Sequence, residues 1–91
     1  MRTKYKVKYR SYVVRENDYI RRNGFSCILF ENRGNVPVLI DNAIELKPKS
    51  QEILEFNERP NTIIEHEFEI KFENDGANKQ VLVIEAYYEE V

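Results

Sequence analysis

Two stretches decide the fold: Lys4-Tyr5-Lys6-Val7-Lys8-Tyr9-Arg10 near the start of the chain, and Ile64-Glu65-His66-Glu67-Phe68-Glu69-Ile70-Lys71-Phe72-Glu73 in its second half. Both alternate polar and apolar residues with a period of two, which is the pattern of a β-strand with one buried and one solvated face. The first stretch is basic and the second is acidic. Because opposite charges that face each other stabilise an antiparallel pair, these strands are predicted to pair with each other or with the surface of a partner.

Turn-forming residues divide the chain into short segments. Asn23-Gly24 is the strongest turn signal, because both residue types tolerate the positive φ of a two-residue hairpin. The polar run at 74–78 is predicted to form another hairpin turn. Pro37 lacks an amide donor, which places its strand at a sheet edge or a bulge. The predicted strands are Thr3–Val14, Asp18–Arg22, Phe25–Glu31, Val36–Ile40, Ala43–Leu46, Gln51–Phe56, Ile63–Glu73 and Gln80–Glu90.

Short strands separated by frequent turns predict an all-β protein. We expect one domain over residues 1–91, a small antiparallel β-sandwich of Ig-like or jelly-roll-like type with about six to eight short strands. The three longest strands, which are the first, seventh and last, are expected at the centres of the sheets. Alternation assigns to the core Tyr5, Val7, Tyr9, Val13, Phe25, Cys27, Leu29, Val38, Ile40, Ile53, Phe68, Ile70, Phe72, Leu82 and Ile84. The apolar residues expected to face outward are Tyr12, Val14, Tyr19, Ile20, Tyr87, Tyr88 and Val91.

The size and composition of the chain predict modest stability. A chain of 91 residues buries only about 60–65% of its unfolded surface. Cys27 is the only cysteine, which excludes an intramolecular disulfide, and one His beside one Cys argues against structural zinc. No cofactor is expected, so association with a partner or with further copies is the expected additional source of stability. The charged start and the lack of a run of about 18 apolar residues predict a protein made in the cytosol without a membrane partner.

The charges are unevenly distributed along the chain. Residues 1–33 carry nine Lys or Arg and three Asp or Glu, a balance of +6, whereas residues 34–91 carry five and thirteen, a balance of −8. A basic segment with tyrosines raises a nucleic-acid hypothesis, because cations contact phosphates and aromatic rings stack on bases. Alternation places Tyr5 and Tyr9 on the face opposite the cations, so nucleic-acid binding is not favoured.

Three features invite a chemical interpretation, and a structural one is favoured for each. His66 is in step with the apolar residues of its strand, which indicates a packed or strand-end histidine rather than a catalytic base. Cys27 lies among apolar neighbours, where cysteine acts as a small hydrophobe. The carboxylates of the acidic strand recur at about 6.6–7 Å, too far apart for several to share a calcium ion. They belong to Glu65, Glu67, Glu69 and Glu73.

One segment resembles a phrase found in small β-sandwich structural proteins of tailed bacteriophages. It reads Asn32-Arg33-Gly34-Asn35-Val36-Pro37-Val38-Leu39-Ile40-Asp41-Asn42, followed by Leu46, Pro48, Ser50 and Phe56. In those proteins the phrase is N-x-G-x-x-P-V-x-I-N-G, then a short apolar strand, then P-G-x-S and an aromatic residue. This chain departs from the phrase at Asn42 and Lys49, where glycine is usual. The resemblance implies a virion component, either a capsid decoration protein or a small part of the neck, tail or head fibre.

The function expected from these observations is that of a non-enzymatic virion structural protein, assembled in the host cytoplasm. An auxiliary protein that decorates or cements a capsid would dock on the major capsid protein or on other virion proteins. Tyrosine and arginine are enriched at interface cores, and charged strand faces suit docking. The expected interface consists of Lys4, Lys6, Lys8, Arg10, Tyr19, Arg22, Glu65, Glu67, Glu69, Tyr87 and Tyr88. Two alternatives remain open: a carbohydrate- or receptor-binding module that uses Tyr87-Tyr88 as a platform, and a small intracellular enzyme or regulator built on His66.

Overall fold

The computed structural model describes residues 4–22, 24–56 and 64–91, which form eight β-strands and no helix. The strands are β1 Tyr5–Val14, β2 Asp18–Arg21, β3 Cys27–Asn32, β4 Val38–Ile40, β5 Ile44–Leu46, β6 Gln51–Glu55, β7 Glu67–Phe72 and β8 Val81–Glu90. Every predicted strand is present, most with trimmed ends. The predicted starts at Thr3 and Ile63 lie outside the described residues. The all-β class is therefore confirmed.

The strands pair as one long hairpin that is folded back on itself. β1 pairs with β8, β2 with β7, β3 with β6, and β4 with β5, all antiparallel. Further pairs, β3 with β8 and β4 with β7, join these into two four-stranded sheets. Sheet 1 has the order β1-β8-β3-β6, and sheet 2 has the order β2-β7-β4-β5. Eight strands arranged in this way form a jelly roll, so the predicted antiparallel sandwich is confirmed.

The core lies between the two sheets and has an aromatic centre. The ring centroid of Phe68 lies 6.3 Å from that of Phe25 and 5.5 Å from that of Phe30. Packed rings of this kind contribute about 0.5–1.5 kcal/mol per pair beyond the burial of their area. The buried apolar residues are Val14, Ile20, Phe25, Ile28, Phe30, Val36, Val38, Ile40, Leu46, Phe68, Ile70, Phe72, Val81 and Val83. Six of them were predicted: Phe25, Val38, Ile40, Phe68, Ile70 and Phe72.

The inward side of sheet 1 is the reverse of the prediction. In β3, Ile28 and Phe30 are fully buried, whereas the predicted Cys27 and Leu29 are only half-buried. An error of one residue in phase moves every side chain of a strand to the opposite face. The predicted core residues that are exposed are Tyr5, Val7, Tyr9, Val13 and Ile53, and Leu82 and Ile84 are half-buried beside them. Conversely, Val14 and Ile20 are buried and Tyr12 and Tyr87 are half-buried, although all four were expected to face outward.

Two predicted hairpins are wrong because the strands that they join lie in different sheets. The chain crosses from β2 of sheet 2 to β3 of sheet 1 near Gly24, whose φ is 80°; Asn23 lies outside the described residues. The segment 74–78 likewise connects β7 of sheet 2 to β8 of sheet 1. The tight hairpin is Asp41-Asn42 between β4 and β5, where φ values of 55° and 51° fit a type I′ turn.

Strand positions within the sheets correct two further predictions. β7 and β8 are inner strands, as expected, but β1 is an edge strand. β4 lies between β7 and β5, so Pro37 does not mark an edge; it precedes β4, and its carbonyl accepts a hydrogen bond from the Glu73 amide at 3.0 Å. The basic β1 and the acidic β7 belong to different sheets and do not pair.

The first part of the phage-like phrase forms a buried turn. Asn32 is fully buried, and its Nδ2 donates to the carbonyls of Val36 and Leu46 at 2.8 and 3.0 Å. Its Oδ1 accepts from the Gly34 amide at 3.0 Å. A Cβ at position 34 would lie 2.2 Å from the Asn78 carbonyl oxygen, so only glycine permits this approach of the two backbones. These positions of the resemblance therefore serve turn geometry.

Candidate interaction surface

Sheet 1 carries an exposed apolar surface on the side away from the core, which we call the outer face. It consists of Tyr5, Val7, Tyr9, Val13, Cys27, Leu29, Ile53, Leu82, Ile84, Ala86 and Tyr88. The strand register makes it contiguous, since Leu29 lies between Ile84 and Ile53. Tyr9 is 72% exposed, Tyr5 61% and Tyr88 59%. The carboxylates on this side lie around the apolar residues, at Glu31, Glu55 and Glu90.

The outer face is large for a chain of this size. Its three exposed tyrosines and three exposed aliphatic residues present on the order of 600 Å², taking a fully exposed tyrosine as about 200 Å². The largest apolar patch of a typical monomer is about 300–600 Å² and is often functional, so the outer face lies at the upper end of that range. A standard protein interface covers about 800 Å² on each partner. The outer face has the extent and composition of one such interface core.

β1 and β8 extend past the other strands of sheet 1 as a two-stranded ribbon. β8 pairs with β1 over residues 81–90 but with β3 only over 81–86. Tyr5, Val7 and Tyr88 continue the outer face along this ribbon. The opposite side of the ribbon is charged, and Lys8 forms an exposed ion pair there with Glu89. The ribbon is therefore amphipathic, with one apolar and one charged side.

A buried carboxylate anchors the charged side of the ribbon. Glu85 is 1% exposed, and its Oε1 accepts from Arg10 Nε at 2.9 Å and from Arg10 Nη2 at 2.5 Å. The hydroxyl of Tyr12 donates to Oε2 at 2.8 Å and that of Tyr87 to Oε1 at 2.7 Å. The Arg10 guanidinium also lies 5.4 Å from the centroid of the Tyr87 ring. Hydrogen bonds to a charged group contribute more than neutral ones, so this cluster fixes β1 on β8.

The same cluster shifts the titration of its members. Burial, followed by the hydrogen bond to Glu85, raises the pKa of Tyr87 to about 12. The same two causes raise the pKa of Tyr12 well above its ordinary value. The hydrogen bond to Glu85 raises the pKa of Arg10. Both phenols therefore remain neutral donors to the carboxylate at neutral pH.

The structure divides the predicted interface residues into separate groups. Lys6, Lys8 and Arg10 lie on the charged side of the ribbon with Tyr87, while Tyr88 lies on the outer face. Lys4 precedes β1, and its carbonyl accepts from the Val91 amide at 2.9 Å. The remaining predicted residues, Tyr19, Arg22, Glu65, Glu67 and Glu69, lie on or beside sheet 2.

A polar cluster on sheet 2 brings two of these residues together, Tyr19 and Glu69. The Tyr19 hydroxyl donates to Glu69 Oε2 at 3.1 Å, and this hydrogen bond raises the pKa of Tyr19. The Asn42 amide donates to Glu69 Oε1 at 3.3 Å. Glu67 lies opposite Arg21 in the register, so the cation that faces the acidic strand belongs to β2 and not to β1. Glu65 lies before β7 and lines a shallow open hollow with Glu67.

His66 lies immediately before β7, in agreement with the prediction of a strand-end histidine. Its Nε2 is 2.8 Å from Asp41 Oδ2, and its ring packs edge-on against Phe68 with centroids 4.4 Å apart. The other Asp41 oxygen accepts from the Glu69 amide at 2.8 Å. Asp41 thus supplies an orienting carboxylate that residue spacing did not reveal. No hydroxyl or thiol in the described part of the chain hydrogen-bonds to His66, so the pair lacks a positioned nucleophile.

Arg22 was predicted at the interface, and the structure places it in the interior. It is 8% exposed, and its guanidinium lies 4.6 Å from the ring centroid of Phe56 and 5.6 Å from that of Phe25. Its Nη1 donates to the carbonyl of Ile64 at 2.8 Å. Arg22 therefore packs sheet 2 against the aromatic core, since a guanidinium stacks well on aromatic rings.

Cys27 lies half-buried on the outer face. Burial, with a smaller contribution from Glu55, raises the pKa of the Cys27 thiol. The protonated thiol is a poor nucleophile. Cys27 is therefore a small apolar residue, as predicted, but it lies on the outer face and not in the predicted core.

Sequence reasoning missed most of the outer face because it assigned the apolar side of β1 to the core. One signal was available. In β1 the cations recur every second residue, and Glu85 and Glu89 of β8 have the spacing needed to face them. Pairing these charges on one side of a ribbon would have left the row Tyr5, Val7, Tyr9, Ser11 and Val13 on the other.

The described residues contain no group of three or more His, Cys, Asp or Glu side chains placed to hold a metal ion. They also include no helix of the length and apolar character needed to cross a membrane. Comparison with protein-family models, curated proteins and solved structures found no match to this chain. Inference about function therefore rests on the fold and on the surfaces described above.

Proposed function

We propose that this chain is a non-enzymatic structural protein that docks on another protein through the outer face of sheet 1. The setting that we propose is the virion of a tailed bacteriophage, with the chain as an auxiliary protein that decorates or cements the capsid. Its partner would then be the major capsid protein or another virion protein. The observation that carries the docking proposal is the contiguous exposed apolar surface of the outer face.

The composition of the outer face favours a protein partner. Interface cores are depleted in charge and enriched in aromatic residues, with polar groups around them. Tyr5, Tyr9 and Tyr88 are exposed amid aliphatic neighbours, and the carboxylates lie at the periphery. Tyrosine is also among the residues that contribute most to binding when truncated. Exposure of this apolar surface to water is unfavourable, and binding to a partner would bury it.

The fold and the phage-like phrase are two separate observations that support the virion setting. Jelly rolls occur in viral capsid and lectin domains, although a fold by itself does not define a function. The bacteriophage resemblance covers residues 32–56, and those positions form the buried turn and the β4–β5 hairpin. The resemblance therefore supports a fold shared with those phage proteins. The docking surface lies elsewhere, mainly on β1 and β8.

The decisive experiment is co-sedimentation of the purified protein with particles of the virus that encodes it. We expect saturable binding, and we expect the Tyr5→Ser variant to bind at least tenfold more weakly, because truncation of an interface tyrosine commonly costs more than about 1 kcal/mol of binding free energy. Tyr19→Ser is the matched control, because Tyr19 on sheet 2 is also 61% exposed. Wild-type binding by Tyr5→Ser, or equal losses by both variants, would overturn the docking surface. Absence of binding to any particle would overturn the virion setting.

A second candidate is a carbohydrate-binding module, and one observation favours it. Three exposed tyrosines share one open sheet surface, and aromatic faces are common platforms for sugars; lectin domains include jelly rolls. The platform would be Tyr5, Tyr9 and Tyr88, rather than the Tyr87-Tyr88 pair, since Tyr87 points to the charged side. A glycan array with the intact protein tests this function. Binding that is lost on Tyr9→Ser would support it, and an array without hits would remove it.

A further inference from the structure

We infer that copies of this chain associate edge to edge, with β1 of one copy adding to β6 of the next, so that sheet 1 continues from copy to copy. This association uses the two edges of sheet 1 and leaves its outer face free. It therefore goes beyond the proposed docking function and can be tested separately from it.

Both edges of sheet 1 are open in the described part of the chain. β1 pairs only with β8, and β6 pairs only with β3. An edge strand presents a row of unpaired amides and carbonyls, which is a template for a further strand. β1 has ten residues, which is long for an edge strand, and neither strand contains proline; the cations of β1 repel a second basic edge but not an acidic one. Natural edge strands are usually short or blocked, so an open edge of this length calls for a partner strand.

Strand direction favours a second copy of the same chain. Successive strands in the order β1-β8-β3-β6 are antiparallel, so β1 and β6 run in opposite directions. A copy placed beside β6 in the same orientation therefore presents its β1 antiparallel to β6. The outer faces of the two copies then form one surface, with Ile53 of one copy opposite Val7 of the next in one allowed register.

Charge complementarity selects this pairing. β1 is basic, with Lys6, Lys8 and Arg10 along one side, whereas β6 carries Glu52 and Glu55 and no cation. With Ile53 opposite Val7, Glu52 lies directly opposite Lys8. Long side chains also reach the diagonal positions of a strand pair, which in this register belong to Lys6 and Arg10. Lys8 already pairs with Glu89 and Arg10 with Glu85 of their own chain, so Glu52 of the neighbouring copy adds a further carboxylate to this row of cations.

The same charges oppose pairing of β1 with itself. In a symmetric antiparallel pair with Lys8 on the two-fold axis, Lys6 of one copy faces Arg10 of the other. Like charges directly opposite each other destabilise a strand pair. Contacts between two different edges are heterologous and generate rings or open filaments rather than closed dimers. We therefore expect a series of oligomers.

Sedimentation velocity of the intact protein across a concentration series tests the inference. We expect species larger than a dimer that grow with concentration and diminish at high salt, because the charges at the edges are exposed and screened. A monomer at every concentration would overturn the inference. A discrete dimer that Tyr9→Ser abolishes and Glu52→Lys does not would also overturn it, since it would assign association to the outer face.

Charge reversal supplies the sharper test. We expect neither Glu52→Lys, which places a cation of β6 opposite Lys8, nor the Lys6→Glu/Lys8→Glu variant, which places a carboxylate of β1 opposite Glu52, to assemble alone. An equimolar mixture of the two should assemble, and so should the chain that carries all three changes. Circular dichroism establishes that each variant is folded; if the acidic variant does not fold, Glu52→Lys alone still decides. Assembly of Glu52→Lys to the wild-type extent would refute the edge pairing, whatever the outcome of particle binding.

Discussion

Backbone strain in the described residues is concentrated in two tight turns. Among the described residues other than glycine, only Asp41, Asn42 and Lys49 have positive φ, at 55°, 51° and 66°. Asn and Asp tolerate this conformation because their short side chains hydrogen-bond locally, whereas Lys does not. Asn42 and Lys49 are also the positions at which the phage-like phrase usually has glycine. The departures thus fall where the backbone favours glycine, which gives the phrase a physical reason.

Lys49→Gly is predicted to stabilise the protein by about 0.5–1 kcal/mol. A left-handed conformation costs a residue with a side chain roughly 1–2 kcal/mol, and the greater freedom of glycine in the unfolded chain offsets part of that gain. Asn42→Gly is the matched control and should change the free energy of unfolding little, since asparagine already tolerates its φ. Urea denaturation of the three proteins measures both effects. An equal response at the two positions would contradict the argument from strain.

The element that departs most from an ordinary sandwich strand is β1. Only its last part contributes to the core, at Val14 and the half-buried Tyr12, while its first part forms the ribbon with β8. The ribbon depends on Glu85, because three side chains converge on one buried carboxylate. Removing a partner from a buried polar cluster costs more than removing an exposed ion pair.

Glu85→Gln is predicted to lower the free energy of unfolding by about 1.5–3 kcal/mol. Glutamine has the shape of glutamate but replaces one acceptor oxygen by an NH₂ donor, which would face a phenol or guanidinium donor. Glu89→Gln on the same strand is the control; its ion pair with Lys8 is exposed on both sides and should contribute less than about 1 kcal/mol. Chemical denaturation compares the two variants. Similar losses would show that the buried cluster does not anchor the ribbon.

The raised tyrosine pKa values predict a loss of stability at alkaline pH. The folded pKa of Tyr87 is about 12, against about 10 for an ordinary tyrosine. Between these values the unfolded chain has lost the proton and the folded chain keeps it, so the folded state binds more protons and stability falls as pH rises. Below about pH 10 this contribution is fully present, and it is lost as pH rises through about 12.

Tyr87→Phe isolates that contribution. We expect its free energy of unfolding to fall less between pH 9 and about pH 11 than that of the wild type, although it starts lower because the hydrogen bond to Glu85 is gone. Urea denaturation at the two pH values gives the comparison. Equal slopes for the two proteins would rule out Tyr87 as a source of the alkaline loss.

At the scale of the whole molecule, sheet 1 is apolar on both sides, although only one side packs against sheet 2. Its inner side contributes Ile28, Phe30, Val81 and Val83 to the core, while its outer face remains exposed. Under the proposed docking function, a partner would cover the outer face and make sheet 1 the middle of three layers. This is the physical basis of the proposed docking function, and the open edges of the same sheet underlie the inferred association.

Two isoleucines, one on each side of sheet 1, test which side belongs to the core. Ile28→Ala should lower the free energy of unfolding by about 2–5 kcal/mol, because Ile28 is fully buried and its loss leaves a cavity. Ile53→Ala should cost less than about 1 kcal/mol, since Ile53 is 49% exposed on the outer face. Guanidinium denaturation of both variants gives the two costs. A larger loss for Ile53→Ala would place the outer face inside the fold and refute the proposed surface.

Local patterns in the sequence determined the number of strands, most of their bounds and the all-β class. Turn residues and period-two alternation act over a few neighbouring residues, so they can be read without the partners of each strand. Only the tertiary structure decided which side of β1, β3 and β8 is inside, that β2 and β3 belong to different sheets, and that Arg22 is buried. Alternation shows that a strand has two sides, but it does not show which side is buried. Where both sides are apolar, or where one side pairs its charges across a ribbon, the buried side is decided only by how one sheet packs on the other. As a result, Tyr9 and other residues that were predicted in the core lie on the outer face and form the candidate interaction surface.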